Sequence, residues 1–207
     1  MKNITILILL NLVIISLVFI SAGSIFFIEG WIFCINTVII NTLIYFFKRE
    51  YLDIDIKNKI IRVFLILIAL FIITSGLGYR FDFINTFLIL NIFFYLLKII
   101  GYMFYIFSFL IFIYAINRDK NLNYKDKILI EDKLHSFIRQ PIYLSFCMFF
   151  IGSSLFLSSL PSLLVSALII YYIIRQIELE EEYFLNNLSA YSEYREKVKF
   201  KLIPRLY

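Results

Sequence analysis

The sequence predicts an all-α fold: a polytopic membrane helix bundle of about six spans, ending in a C-terminal helical hairpin and a cytoplasmic tail. Three observations predict it. Of the 207 residues, 62% are hydrophobic and only 17% are charged, with a mean hydropathy of +0.89. A soluble domain of this size would expose far too much apolar surface to water. The apolar residues are gathered into runs near the roughly 20 residues that carry a helix across the hydrocarbon core. The basic residues, in turn, collect in alternate loops, as positive-inside orientation demands.

The elements follow in order. After Lys2, an apolar run over 4–28 forms the first span. It exceeds the roughly 7–15 apolar residues of a signal peptide, so it reads as a retained helix. Glu29 and Gly30 break it, and 31–47 forms the second span, with Trp31 placed as an interfacial aromatic. The loop 48–62 carries Lys48, Arg49, Lys57, Lys59 and Arg62 and is predicted to be cytoplasmic. The third span, 63–79, leads outward to Arg80 and Asp82. The stretch 83–116 is long for one span yet has no loop that would permit two. It reads as one spanning helix over 99–116 preceded by an apolar or tilted lead-in. Lys98 then either snorkels or meets a polar partner inside the bundle.

Residues 118–139 form the most polar stretch, with six basic and four acidic side chains, and are predicted to be cytoplasmic. The fifth and sixth spans, 142–157 and 162–174, are short and are joined by Ser158-Ser159-Leu160-Pro161, with Pro161 in the first turn of the sixth helix. Only Arg80 and Lys98 among the 20 basic residues fall outside the predicted cytoplasmic segments. That asymmetry predicts both termini inside: the plasma membrane in a bacterium, the endoplasmic reticulum in a eukaryote. It also predicts Arg139 and the cluster Glu178-Leu179-Glu180-Glu181-Glu182 on one membrane face.

Composition excludes several function classes. The net charge of +5 is spread over loops beside apolar runs, which argues for membrane orientation and against nucleic-acid binding. Cys34 and Cys147 lie far apart in apolar runs, with neither disulfide nor metal spacing. His135 is the single histidine, so no multi-histidine metal site can be assembled, and no glycine-rich phosphate loop is present.

Two polar groups remain as candidates for chemistry. Arg139 is a permanent cation with a donor fork suited to carboxylate or phosphate, followed by Gln140, a helix-starting Pro141 and Tyr143. From position alone it equally describes a basic residue at a membrane boundary. If the sixth helix continues past the membrane, Arg175, Glu178 and Glu182 share one stripe and Glu181 lies on the next. Arg175 can pair with Glu178, leaving Glu181 and Glu182 free for a ligand's hydroxyls; a solvated helix extension fits the same residues. Tyr191 and Tyr194, at i and i+3, could cover a ligand or serve as an interfacial belt.

Arg139-Gln140-Pro141-Ile142-Tyr143-Leu144, an apolar hairpin, Glu181-Glu182-Tyr183-Phe184-Leu185, Tyr191-Ser192-Glu193-Tyr194 and Ile203-Pro204 occur in that order. In this the chain resembles the isoprenylcysteine carboxyl methyltransferase and phospholipid methyltransferase group of membrane enzymes, over 133–207 and more weakly through 100–117. The group's motif usually reads Arg-His-Pro-x-Tyr-Leu-Gly, preceded by Gly-Pro-Tyr or similar. Here Gln140 stands for the histidine, Ser145 for the glycine, and Lys133-Leu134-His135 in place of the upstream segment. Gln140 donates and accepts hydrogen bonds but carries no proton charge, and His135 is the side chain placed to make up part of that loss.

The resemblance implies S-adenosylmethionine in a cytoplasm-facing pocket and methyl transfer to a lipophilic or prenylated acceptor drawn from the membrane. It implies Glu181 or Glu182 on the ribose hydroxyls, Gln140, Tyr143, His135, Tyr191 and Tyr194 around the cofactor, and Arg139 orienting an acceptor or cofactor carboxylate. No metal is implied. It divides the chain into scaffold spans over 1–82 and a methyltransferase-like membrane domain over 83–207. Gln140 keeps open a non-catalytic membrane protein that retains the fold, and a nicotinamide-dependent lipid reductase is a third reading.

Overall fold

The structure is a computed structural model that describes residues 2–46, 58–80, 88–119, 134, 136–187 and 189–202. The predicted loop charges over 47–57 and 120–133, His135, and 203–207 with Ile203-Pro204 lie outside the described residues. Among the described residues there are seven helices and no strand: α1 (Lys2–Ala22), α2 (Ile28–Phe46), α3 (Asn58–Arg80), α4 (Leu88–Asp119), α5 (Pro141–Phe156), α6 (Leu160–Asn187) and α7 (Ser189–Lys197).

The protein is membrane-embedded. Four helices are long and apolar enough to cross a bilayer, over Ile4–Ala22, Val63–Arg80, Ile92–Ala115 and Leu160–Asn186. Two more, Ile28–Leu43 and Pro141–Phe156, are apolar but shorter. At 1.5 Å per residue α5 is about 24 Å long, less than the ~30 Å hydrocarbon thickness. Six apolar helices are therefore present among the described residues, and four of them meet the length of a full span within those residues.

Two boundaries differ from the sequence expectation. The first helix stops at Ala22, before Glu29 and Gly30, because Gly23 takes a φ of 69°. Its N–H closes the helix on the Phe19 carbonyl at 2.9 Å, in a conformation glycine reaches at no steric cost. Glu29 and Gly30 are then the opening residues of α2. The expected lead-in before residue 99 is also not separate. The chain is helical from Leu88 through Asp119, 32 residues or about 48 Å, since nothing in it breaks the backbone ladder.

Two compact units divide the chain: Met1–Met103 with Phe150–Ile169, and Phe104–Phe149 with Ile170–Tyr207. In the first, α3 lies directly on α1. A Cβ on Gly76 would stand 2.0 Å from Ser21 Oγ and 2.4 Å from the Val18 carbonyl, so only glycine permits the approach, as small residues do between membrane helices. Asn41 donates to Asn11 at 2.8 Å, tying α2 to α1. Lys98 has a polar partner, Glu29, at 2.8 Å, the second of the two fates expected for it. The α5–α6 turn is built by Ser158 at φ 53° and by Ser159. The Ser159 hydroxyl donates to the Thr74 carbonyl at 2.6 Å and accepts from the Ser162 N–H, capping α6. Cys34 and Cys147, one in each unit, are free and buried.

The second unit contains the later part of α4, the start of α5, the end of α6, α7 and the segment after it. Tyr105 packs on Phe149, and Phe112 on Phe146, with ring centroids 5.4 and 5.7 Å apart. A small core of Tyr191, Tyr194 and Val198, with Phe184 and Leu185 against it, fixes α7.

Candidate functional site

The candidate site lies in the second unit and starts from two backbone bonds. The N–H of Arg139 donates to the Phe200 carbonyl and that of Gln140 to the Lys201 carbonyl, both at 3.0 Å. Segments some 60 positions apart are thereby laid side by side just ahead of α5. Gln140 occupies the capping position: its carbonyl accepts from Leu144 N–H at 3.2 Å, and Pro141 follows as the first helical residue, where a missing N–H costs nothing.

α6 runs 28 residues without interruption, which carries the acidic cluster past its apolar part as the continuous-helix reading requires. The four carboxylates have separate fates. Glu178 accepts from Arg175 at 2.9 Å, the pairing expected from their spacing. Glu180 accepts from the Tyr143 hydroxyl and, at 3.1 Å, from the Gln176 amide. Glu181 is buried, with one oxygen 2.8 Å from Arg139 Nε and the other 3.3 Å from Lys201 Nζ. Glu182 is exposed.

The Arg139–Glu181 pair is almost dry: the two side chains are 4% and 5% exposed. Burying two charges costs more than their attraction returns unless further hydrogen bonds satisfy them. Here Arg139 Nη1 also donates to the Val198 carbonyl at 2.5 Å, and Lys201 gives Glu181 a second cation. Arg139 and Glu181 therefore hold each other and position the C-terminal segment, while Glu182 and the half-buried Gln140 side chain make no contact of this kind among the described residues.

Tyr191 is 6% exposed, yet its hydroxyl is the one buried side-chain polar atom among the described residues without a hydrogen-bond partner. Burial pushes its phenol above the ordinary tyrosine range and the Glu181 carboxylate adds to the shift, while the Arg139 guanidinium acts in the opposite sense. Tyr194 packs its ring 5.8 Å from that of Tyr191 and is itself buried. Both tyrosines sit in a small core with Val198.

The structure thus brings together Arg139, Gln140, Tyr143, Glu181, Tyr191 and Tyr194 in one unit; Glu182 lies on the outer surface of α6. Sequence reasoning missed Lys201, and it missed the bond between Glu180, which it named only as part of the acidic cluster, and Gln176. The last two had a signal, an i, i+4 spacing on α6. Lys201 had none, because only the pairing of 139–140 with 200–201 delivers it to Glu181. Among the described residues no group of three or more His, Cys, Asp or Glu could hold a metal ion. No protein-family model, curated protein or solved structure matches the chain.

Proposed function

We propose that the protein is an integral-membrane methyltransferase that uses S-adenosylmethionine to methylate a lipophilic acceptor, either a prenylcysteine carboxylate or a lipid head group. The observation that carries this reading is the joining of three separated segments, two of which carry motifs of the resemblance. The Arg139-Gln140 backbone is paired with Phe200-Lys201 while the Arg139 side chain holds Glu181. In sequence, the segments of Arg139 and Glu181 are among those that resemble the isoprenylcysteine carboxyl methyltransferase group, and Phe200-Lys201 lies between two others, Tyr191–Tyr194 and Ile203-Pro204. By the distribution of basic residues, the cluster faces the cytoplasm.

The residues fit the cofactor in kind. Tyr191 offers a buried hydroxyl that lacks a partner, Gln140 a half-buried amide, and Glu182 an open carboxylate for ribose hydroxyls. Glu181, already spent on Arg139 and Lys201, is the positioning member of the acidic pair. When bound, S-adenosylmethionine would supply a sulfonium methyl group that a carboxylate oxygen takes as the carbon–sulfur bond breaks, with no proton to remove; a head-group amine would first give up its proton to bulk water and then take the methyl group in the same way. The chain's work is then alignment and exclusion of water. Arg139 fixes the start of α5 against the C-terminal segment, and Tyr143 and Glu180 brace α5 on α6.

A second reading is supported by the same pair: Arg139 and Glu181 satisfy each other, and Gln140 stands where the group has histidine, which describes a non-catalytic protein that keeps the fold. Proteoliposomes supplied with methyl-labelled S-adenosylmethionine and either a farnesylated cysteine or phosphatidylethanolamine separate the two. Label in one acceptor is expected, and Gln140→His is expected to raise the rate. Label in neither acceptor, with a large gain in cofactor affinity on Gln140→His, would favour the silent fold.

A further inference from the structure

In the first unit, the contact that Gly76 allows between α1 and α3 brings their C-terminal ends together. α1 closes at Gly23 and α3 at Arg80, and the Arg80 side chain lies across that glycine. A Cβ on Gly23 would stand 3.8 Å from Arg80 Cδ and Nε and 4.0 Å from Cζ. Tyr79 stacks on the buried Phe27 at 4.5 Å, which holds the end of α3 in place. Arg80 is exposed and makes no hydrogen bond or ion pair with a described residue.

Gly23 is also part of the wall of an open groove of about 540 Å³, whose other lining includes Phe19, Ile20, Ile25 and Phe26. Its shape is held by polar contacts behind it. Trp31 packs its ring, tilted, on Phe19 at 4.5 Å and donates from Nε1 to the Ile25 carbonyl at 2.9 Å, while the Phe26 N–H donates to Ser24 Oγ at 3.1 Å. Ile25 and Phe26 are 65% and 81% exposed, a cost in water that disappears against hydrocarbon.

A cation without a described partner and an apolar groove thus share one glycine at the end of two membrane helices. We propose that this is a binding site for an anionic membrane phospholipid, with the phosphate on the Arg80 guanidinium and one acyl chain in the groove. The planar donor fork matches phosphate oxygens, and a lipid without a compensating head-group cation leaves the full charge attraction. The site is independent of the methyltransferase reading and stands or falls without it.

The full-length protein in detergent, titrated with phosphatidylglycerol and with phosphatidylcholine of the same chains, gives the test by native mass spectrometry. About a fivefold preference for phosphatidylglycerol is expected, the scale of one arginine near an anionic head group. Arg80→Gln should abolish the preference and Arg80→Lys should keep part of it. Ile20→Trp, which fills the groove from a residue that is 71% exposed and so leaves the core alone, should lower retention of both lipids. An undiminished preference in Arg80→Gln would overturn the head-group assignment, and undiminished retention in Ile20→Trp would overturn the groove. Displacement of the lipid by millimolar inorganic phosphate would mark a soluble-anion site and overturn the proposal as well.

Discussion

Tyr191 and Glu181 make opposite predictions although they are neighbours in one cluster. The Tyr191 hydroxyl is buried without a partner, so Tyr191→Phe removes a desolvated polar group rather than a bond. Stability in thermal unfolding should be unchanged or higher by about 1 kcal/mol. Affinity for S-adenosylmethionine should nevertheless fall if that hydroxyl serves the cofactor. The phenol is raised above its ordinary value in the folded state, chiefly by burial. Its contribution to stability is therefore complete below the unfolded value of about 10 and is lost as pH rises through the folded one. Alkaline destabilisation beginning above about pH 10 should be weaker in Tyr191→Phe than in the wild type. Glu181→Gln, in contrast, leaves Arg139 buried and underpaired and should cost about 3–5 kcal/mol. The double variant with Arg139→Gln should lose less than the sum of the two single ones. Glu182→Ala, at an exposed position, should leave folding intact and weaken cofactor binding; unchanged affinity would return Glu182 to the solvated face of α6.

Helix identity was largely legible in the sequence, and helix ends were not. Runs of apolar residues announce membrane helices because the bilayer imposes their length. The end of α1 depends instead on the backbone angle of Gly23, which an unbroken apolar run conceals. α4 shows the converse: Lys98 interrupts the hydropathy but not the helix, because Glu29 meets its charge. Helix contact is equally silent in a linear reading. Gly76 lies about one turn before the end of α3 with nothing to mark it, yet it faces Ser21 and the α1 backbone closely enough that any Cβ must displace them. Gly76→Val should destabilise the protein by about 1–3 kcal/mol or more through overpacking, measured as a fall in detergent melting temperature. A variant melting as the wild type does would show that α1 and α3 can separate at little cost.

At the scale of the molecule, the candidate site was half legible. The order of Arg139, the acidic cluster and the tyrosine pair could be read directly, since each has a local pattern. Their division of labour could not, because it follows from who is buried with whom. Arg139 and Glu181 occupy each other, Lys201 joins them through a backbone pairing without a sequence signature, and Glu182 is left outside. The membrane assignment rests on apolar helices whose length and composition suit a bilayer. The methyltransferase reading is a proposal that rests on the convergence of the Arg139 and Glu181 segments and on the groups left open around them. Isothermal titration of the folded, lipid-containing protein with S-adenosylmethionine tests that central claim most directly. Saturable binding at one site, weakened in Tyr191→Phe and Glu182→Ala and absent with a reduced nicotinamide, is the expected result. No binding heat in a preparation that still melts cooperatively would contradict it.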